Sequence, residues 1–302
     1  MYDILIVGSG PAGLTAAIYA LRADKSVLVL EKETFGGPIT LSPHVENCPG
    51  FPHISGSELG EKLLDQAMGL GAEVDMGEVT GIRRQGETCV VTTAEGSEYA
   101  ARAVILATGS RHRPLGVDRE EAFIGHGISY CAVCDGAFYA GKRIAVIGGG
   151  NSALQEAVML SDICEKVTVI QNLGVLTGEK RLADKLHAKD NVSFIYNSVV
   201  TALEGDRELS SIVIKNTETN ESTRLPFDGV FVCIGQIPEN GAFSDLVELN
   251  DYGYIEASED CLTRDPAIFV AGDCRSKRVR QITTATADGA VAAIAACRYL
   301  DK

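Results

Sequence analysis

Close to its N-terminus the chain carries Asp3-Ile-Leu-Ile-Val-Gly8-Ser-Gly10-Pro-Ala-Gly13. An unbroken apolar run ends there in three closely spaced glycines, and residues 11–23 continue with apolar side chains at helical spacing. A buried strand, a glycine turn and a helix in this order are typical of a dinucleotide-binding α/β domain, in which the helix N-terminus faces the phosphates. The pattern predicts a strand over 2–7 and a helix over 11–23.

The same pattern returns 140 residues later as Arg143-Ile-Ala-Val-Ile-Gly148-Gly-Gly150-Asn-Ser-Ala153. The same offset places Ser26-Val-Leu-Val-Leu-Glu31 over Lys166-Val-Thr-Val-Ile-Gln171. An acid at the end of the second strand binds ribose hydroxyls, so Glu31 completes the first site. Gln171 could bind a hydroxyl only without charge assistance, and no arginine or acid lies within 171–177. We interpret the second copy as a scaffold that kept its fold and lost its ligand, while a nucleotide site remains the alternative.

The repeat predicts an α/β fold with two Rossmann-like domains, the second inserted into the first. Two glycine- and proline-containing segments, 109–114 and 236–241, are predicted hinges between them. We therefore expect a discontinuous first domain over 1–113 and 243–302 and an inserted domain over 114–242. Further expected elements include a helix over 57–71 with Ser57 as its N-cap, and a long helix over 281–300.

Composition excludes several classes of protein. The net charge of −14 argues against a nucleic-acid binder, which needs a basic surface. No apolar run reaches the roughly 20 residues that span a membrane, and no signal peptide precedes the first strand, so we expect a cytoplasmic protein. Nine irregularly spaced cysteines do not form a disulfide framework, and most are expected to be buried. The histidines lack metal-ligand spacing, so no metal is expected; they are His44, His53, His112, His126 and His187.

The chemically distinctive motif is Cys131-Ala-Val-Cys134-Asp135. Two thiols separated by two residues can close a small disulfide ring and exchange with a partner disulfide. Asp135 follows at a place where a proton donor or acceptor is useful. Half of a zinc site is the alternative, but no second such pair completes four ligands.

Two features near the C-terminus allow two interpretations each. Asp273 follows a buried strand and precedes a long helix, so it is either a contact to a flavin or an N-cap. Arg275, Lys277, Arg278 and Arg280 form a basic cluster in an acidic chain, either as a solvated loop or as a docking patch for an acidic protein.

Taken together, these motifs resemble those of the low-molecular-weight thioredoxin reductases, and the resemblance runs from end to end. Besides the two glycine turns, the matching segments are Gly36-Gly37, Val45-Glu-Asn47, Ala107-Thr-Gly109, Ser129-Tyr-Cys131-Ala-Val-Cys134-Asp135-Gly136, Gly272-Asp273 and Arg280-Gln281. The resemblance implies a homodimer that reduces thioredoxin. It also implies FAD in the interrupted domain and a redox disulfide in the inserted one.

By the same resemblance, Cys134 faces the flavin, Cys131 attacks the thioredoxin disulfide, and Asp135 supports proton transfer. The domains rotate between the two half-reactions. The residues expected to hold FAD are Gly8, Gly10, Pro11, Ala12, Gly13, Glu31, Lys32, Gly37, Asn47, Thr108, Gly109, Gly272, Asp273, Arg280 and Gln281.

Several positions depart from the NADPH-dependent members of this family. Those enzymes carry a His-Arg-Arg run where this chain has Gln171-Asn172-Leu173, usually Asp at Asn151, and Glu at Gln155. Pro38-Ile39 replaces their usual glutamine after Gly37. The departures resemble the ferredoxin-dependent flavin thioredoxin reductases of anaerobic bacteria, which implies reduced ferredoxin as electron donor. The alternatives are an NADPH- or NADH-dependent thioredoxin reductase and a redox-sensing flavoprotein.

Overall fold

A computed structural model describes residues 1–42 and 45–302. Within them the chain forms two compact units: one comprises Met1–Arg111 and Ile237–Lys302, the other His112–Gln236. The predicted fold class, two Rossmann-like units of which one is inserted into the other, is confirmed. His44, one of the five histidines considered above, lies outside the described residues.

The inserted unit begins at 112 and ends at 236, whereas the sequence suggested 114 and 242. The two connecting segments pair with each other as a two-stranded sheet of Ser110–His112 and Gln236–Pro238. The second boundary therefore lies between the first two residues of the segment 236–241 that suggested the second hinge.

The part of the first unit before the insertion is built around a mostly parallel sheet. Its elements are β1 Tyr2–Val7, α1 Pro11–Arg22, β2 Val27–Glu31, a 3₁₀ turn Gly37–Leu41, α2 Gly56–Gly69, β3 Glu73–Met76, β4 Val79–Gln85, β5 Thr88–Thr93, β6 Glu98–Leu106 and β7 Ser110–His112. The order β3-β2-β1-β6-β5-β4 puts β1 at the centre, and its register pairs Leu5 with Leu28 and with Val104. Ser55, not the predicted Ser57, caps α2, because its hydroxyl accepts a hydrogen bond from the Glu58 amide.

The inserted unit repeats this arrangement. It contains α3 Glu120–Phe123, β8 Ile128–Ser129, α4 Ala132–Asp135, a 3₁₀ turn Gly136–Tyr139, β9 Arg143–Ile147, α5 Asn151–Ser161, β10 Lys166–Ile170, α6 Lys180–His187, β11 Val192–Ile195, β12 Ser198–Gly205, β13 Leu209–Asn216, β14 Ser222–Pro226 and β15 Gly229–Val232. The order β11-β10-β9-β15-β8 is parallel throughout, and β12-β13-β14 form a separate antiparallel sheet.

After the insertion the chain returns to the first unit. It adds β16 Gln236–Pro238, a 3₁₀ turn Gly241–Phe243, β17 Ile268–Val270, a second 3₁₀ turn Gly272–Cys274 and α7 Ile282–Leu300. Strand β17 pairs in parallel with β6, and the alanine-rich α7 packs against α1 in the main apolar core.

The two glycine turns have the same backbone geometry. The Gly8 amide donates to Leu30 O at 2.8 Å, and the Gly148 amide donates to Ile170 O at 2.8 Å. Both glycines have positive φ, +104° and +125°, and a Cβ would lie 2.3 Å from Ala107 O in the first turn. Both turns lie at the carboxyl ends of parallel strands, where ligands bind in open α/β sheets. Among the described residues, no helix is long and apolar enough to cross a membrane.

Candidate functional site

In the first turn a buried carboxylate is fixed beside the glycines. Glu31 is 7% exposed; its Oε2 accepts hydrogen bonds from the Ser9 amide and hydroxyl, both at 2.8 Å. Its Oε1 accepts from the amides of Lys32 and Glu33 at 2.9 and 3.0 Å. These charge-assisted bonds hold the acid at the end of β2, where the sequence predicted a residue that binds the ribose hydroxyls. Ser9 was not singled out from the sequence, because it occupies the variable position between two glycines.

The two interpretations of Asp273 can now be separated. The N-cap of α7 is Gln281, whose side chain accepts from the Thr284 amide, so Asp273 does not cap that helix. Its Oδ1 is buried and has no hydrogen-bond partner among the described residues. Burial raises the pKa of Asp273, and the nearby cations Lys277 and Arg280 offset that effect. A buried acceptor without a donor suits a hydroxyl of a bound ligand, which fits the ribityl chain of FAD.

Four of the residues predicted to hold FAD lie in one cluster. Asn47 Nδ2 donates to Gln281 Oε1 at 3.2 Å. The Arg280 guanidinium lies 4.1 Å above the ring centre of Tyr254, and its Nε donates to the Asp273 carbonyl at 3.3 Å. The cluster therefore combines an amide, a cation and a carboxylate, the groups that a flavin and its phosphates would contact.

Two other predicted FAD residues have side chains bound to protein groups. Lys32 forms an ion pair with Glu239, and Thr108 Oγ1 donates to Asn240 Oδ1 at 2.9 Å. Gly37 lies against the first turn, since a Cβ there would be 3.1 Å from Gly10 Cα. These bonds leave further donors on the Lys32 ammonium group and acceptor lone pairs on the Thr108 hydroxyl for a ligand.

The hypothesis of a basic docking patch is wrong. Arg275 is 2% exposed; its Nε and one terminal nitrogen each bind Asp288 at 2.9 Å. Lys277 binds the same carboxylate at 2.9 Å, and Arg280 is stacked as described above, which leaves only Arg278 exposed in the cluster. Asp288 also accepts from the Gly272 amide at 3.1 Å. The cations therefore support the 3₁₀ turn that carries Asp273.

In the inserted unit, Cys131 and Cys134 form a disulfide with their Cα atoms 5.3 Å apart. Cys131 is the N-cap of α4, and its sulfur accepts from the Cys134 amide at 3.2 Å. Asp135 Oδ2 accepts from the Ser129 hydroxyl at 2.6 Å, and that hydroxyl oxygen accepts from the Cys131 amide at 3.1 Å. Ser129 thus links the predicted proton carrier to the first cysteine. It belongs to the segment that carries the family resemblance, but the sequence alone assigned it no role.

A second carboxyl group contacts the disulfide turn. Glu156 Oε2 accepts from the Cys233 thiol at 3.0 Å and from the Ala132 amide at 3.3 Å. Burial raises the pKa of Glu156 and the Asp135 carboxylate adds to this, whereas the Cys233 and Ala132 hydrogen bonds lower it. No sequence signal identified Glu156, because it lies 22 residues after Cys134 along the chain.

The second glycine turn has a different partner from the first. Gln171 is 5% exposed; its Nε2 donates to Val175 O at 3.3 Å and its Oε1 accepts from the Asn172 amide at 3.1 Å. A Cβ on Gly149 would lie 2.6 Å from the Gln171 amide, so a larger residue there would have to displace the Gln171 side chain. The apolar side chains of Leu173 and Val175 are 47% and 64% exposed.

Comparison with known proteins places this arrangement in a family. The family model described as pyridine nucleotide-disulphide oxidoreductase matches residues 2–289. The "34.2 kDa protein in rubredoxin operon" of Clostridium pasteurianum is 42% identical over 299 residues, covering 99% of this chain and 97% of that protein. The thioredoxin reductase of Listeria monocytogenes is 40% identical over 303 residues, covering 100% and 95%.

Among solved structures, thioredoxin reductase from Streptococcus pyogenes is similar with a TM-score of 0.93 and 42% identity, over 100% of this chain and 98% of that one. FAD is the cofactor that this family binds; when bound, it supplies the electrons that reduce a disulfide. The chain therefore belongs to the pyridine nucleotide-disulphide oxidoreductase family, and within it to the low-molecular-weight thioredoxin reductases.

Proposed function

We propose that this chain is a flavin-dependent thioredoxin-disulfide reductase. The observation that carries the proposal is the Cys131–Cys134 disulfide, with Asp135 and Ser129 bonded beside it, in a unit inserted into an FAD-type domain. A second disulfide as substrate matches this site, because exchange needs one attacking thiol and one resolving thiol. The proposal includes the homodimer, the domain rotation and the cytoplasmic location expected from the sequence.

The exchange step balances within the two pairs of cysteines. The Cys131 thiolate attacks one sulfur of the thioredoxin disulfide, which forms a mixed disulfide and releases a partner thiolate that takes up a proton. Cys134 then displaces the second partner sulfur, so that the Cys131–Cys134 bond re-forms and thioredoxin leaves with two thiols. Asp135 is the group that we propose to hand over and accept the proton.

For the electron donor, the second glycine turn favours reduced ferredoxin. The position that would hold a ribose is a buried, neutral Gln171 bound to its own backbone, and no basic residue occurs from 171 to 179. FAD accepts electrons singly, so an iron–sulfur protein can replace a hydride donor. Because Arg275 and Lys277 are paired internally with Asp288, the basic cluster at 275–280 does not supply the docking face that ferredoxin would need.

NADPH or NADH is the second candidate donor. The glycine turn keeps its positive φ at Gly148, and Gly150 is still the N-cap of α5. The comparisons support this candidate better than the first, since the matching family model is described by its pyridine nucleotide. The two candidates make opposite predictions for one titration.

The test mixes the oxidised, FAD-loaded protein under anaerobic conditions with reduced ferredoxin, NADPH or NADH, and follows flavin bleaching before oxidised thioredoxin is added. We expect ferredoxin to bleach the flavin and thioredoxin to restore its colour. Fast bleaching by either nucleotide would reject ferredoxin and leave the reductase in place. Bleaching without reoxidation by thioredoxin would reject the reductase and indicate a redox-sensing flavoprotein.

The matched variants are Cys134→Ser and Cys297→Ser. Cys297 is a free, buried cysteine of α7 in the other unit, so its loss changes the thiol count without touching the disulfide. We expect Cys134→Ser to allow flavin reduction and abolish thioredoxin turnover, whereas Cys297→Ser should keep both.

A further inference from the structure

The proposed exchange chemistry leaves Glu156 without a role. This residue lies on the inner side of α5, and its carboxyl group accepts hydrogen bonds from the Cys233 thiol at 3.0 Å and the Ala132 amide at 3.3 Å. Ala132 directly follows Cys131 in the disulfide turn, so the carboxyl group is tied to the backbone between the two redox cysteines. A buried carboxyl group needs such donors, because burial without them is costly.

The donor Cys233, which directly follows β15, is a neutral thiol. Burial raises the pKa of Cys233 well above its ordinary value, and the Glu156 carboxylate raises it further. Cys233 therefore stays protonated and keeps its S–H directed at Glu156, which favours the ionised carboxylate. The other charged group that acts on Glu156 is Asp135, which follows the disulfide. The two cysteines of the reduced pair are the remaining titratable groups in this turn.

We propose that Glu156 is a positioning residue of the redox disulfide, which fixes the Ala132 amide between the cysteines and keeps the reduced pair protonated. This inference rests on the proposed function only in that the disulfide is the working redox group. A fixed carboxylate opposes a second negative charge nearby, so it disfavours a thiolate and favours the thiol.

The consequence is a change in how many protons accompany reduction. Two electrons with two protons convert the Cys131–Cys134 disulfide into two thiols, whereas two electrons with one proton give a thiol and a thiolate. Glu156 favours the first outcome over a wider range of pH. In the assay below, dithiothreitol supplies the two electrons and becomes its own cyclic disulfide, so neither the physiological donor nor thioredoxin is involved.

The test measures the pH at which Cys131 becomes reactive. The FAD-loaded protein is reduced with dithiothreitol, pulsed with iodoacetamide at a series of pH values, and digested so that mass spectrometry reads Cys131 and Cys134 apart from the seven other cysteines. We expect Glu156→Gln to lower the midpoint of Cys131 alkylation by about one pH unit, which is about a tenfold rise in thiolate at a fixed pH.

Two controls separate this effect from general charge and from misfolding. Glu165→Gln removes one exposed acid from the same unit and should leave both the midpoint and the turnover unchanged. Cys233→Ala removes the thiol donor, which favours a protonated Glu156 and should shift the midpoint in the same direction by a smaller amount. Cys233→Ser, which keeps a donor, should resemble the parent protein. If Glu156→Gln fails to fold, as judged by loss of its flavin spectrum or of its cooperative thermal unfolding, the two Cys233 variants provide the test instead.

A midpoint in folded Glu156→Gln that coincides with the parent value would overturn the proposal. An equal shift in Glu165→Gln, or in Cys233→Ser and Cys233→Ala alike, would also overturn it. Failure of the proposed function has a different signature: the alkylation midpoint would shift as expected, while the reduced parent protein would leave thioredoxin oxidised.

Discussion

The two glycine turns share a backbone and differ in one pair of side chains. In the first, the Ser9 amide and hydroxyl bind the Glu31 carboxylate at 2.8 Å. In the second, the equivalent pair is Gly149 and Gln171, and the neutral amide lies so close that a Cβ on the glycine would meet it at 2.6 Å. The first turn therefore stabilises a buried carboxylate with hydrogen-bond donors, whereas the second packs a neutral amide side chain against the backbone of a glycine.

This difference shows that a turn can keep its shape after the chemistry at its edge has changed. The positive φ values of Gly8 and Gly148 and the matching amide bonds maintain the strand–turn–helix unit in both halves. Ligand binding depends on a further layer of side chains at the strand ends. The fold of the inserted unit therefore does not by itself identify the ligand that it binds.

The largest effect on stability is expected from the buried ion-pair network of Asp288, Arg275 and Lys277, which supports the turn that carries Asp273. Asp288 binds Arg275, Lys277 and the Gly272 amide, and it is 5% exposed. Asp288→Asn keeps the shape and removes the charge, which leaves Arg275 buried without its partner. We expect the free energy of unfolding to fall by about 3–5 kcal/mol, as in other broken buried pairs, and to be measured by urea titration.

The control for this variant is Glu259→Gln, which removes the other, 91% exposed acid near Arg275 and should cost less than about 1 kcal/mol. Equal losses in the two variants would contradict the central role of Asp288. If Asp288→Asn were as stable as the parent protein, the buried charge of Asp288 would not be needed for the stability of this network.

Acid should weaken the same network. Burial alone would raise the pKa of Asp288, yet hydrogen bonds from Arg275 and Lys277 hold it below the ordinary value. A lowered folded pKa stabilises the protein above the unfolded pKa, which is about 3.9, and the contribution disappears as the pH falls through the folded value. Urea titrations from pH 6 to pH 3 should therefore show the stability gap between parent and Asp288→Asn shrinking towards the acid end. A gap that grows with acid would contradict this sign.

The next largest effect, on FAD affinity, is expected from a substitution that makes the first turn resemble the second. Glu31→Gln replaces a carboxylate that accepts four hydrogen bonds with an amide that can accept only at its oxygen. The predicted bond from a ribose hydroxyl of FAD to this acid would lose its charge assistance, worth about 1.5–3 kcal/mol, so we expect FAD binding to weaken by roughly 10- to 100-fold. Flavin fluorescence titration of the apoprotein measures this change. Glu33→Gln, an exposed neighbour, is the control, and an unchanged affinity in Glu31→Gln would show that the first turn does not need its acid.

Sequence patterns predicted the parts of this molecule that depend on local periodicity. The glycine turns, the strands β1 and β9 and the disulfide motif all follow from residues that are close together along the chain. The Ser57 cap was wrong by two residues, because the choice between neighbouring serines depends on where the first helical amide lies.

The long-range contacts of the site were not predictable in the same way. The cations at 275–280 formed a plausible docking patch until the structure showed Asp288 beside them. Their partner comes from a helix whose register against the loop is set by packing of α1 on α7, and no local pattern encodes it. The Glu156 contacts with Cys233 and Ala132 were not predictable for the same reason, because they join three segments that are far apart along the chain.

The smallest effect tests the comparison from the opposite side. Gln171→Glu gives the second turn the acid of the first, but Gly149 cannot provide the hydroxyl that Ser9 gives to Glu31. The new carboxylate also loses the donation to Val175 O, so we expect the free energy of unfolding to fall by about 1–2 kcal/mol, with no gain in NADH binding. Calorimetric titration with NADH, beside Asn172→Asp as an exposed control, measures both parts. Tight NADH binding by Gln171→Glu would show that the missing charge alone prevents the second turn from binding a nucleotide. Weak binding by both variants would show that the acid needs the Ser9 donors as well, as in the Ser9–Glu31 pair of the first turn.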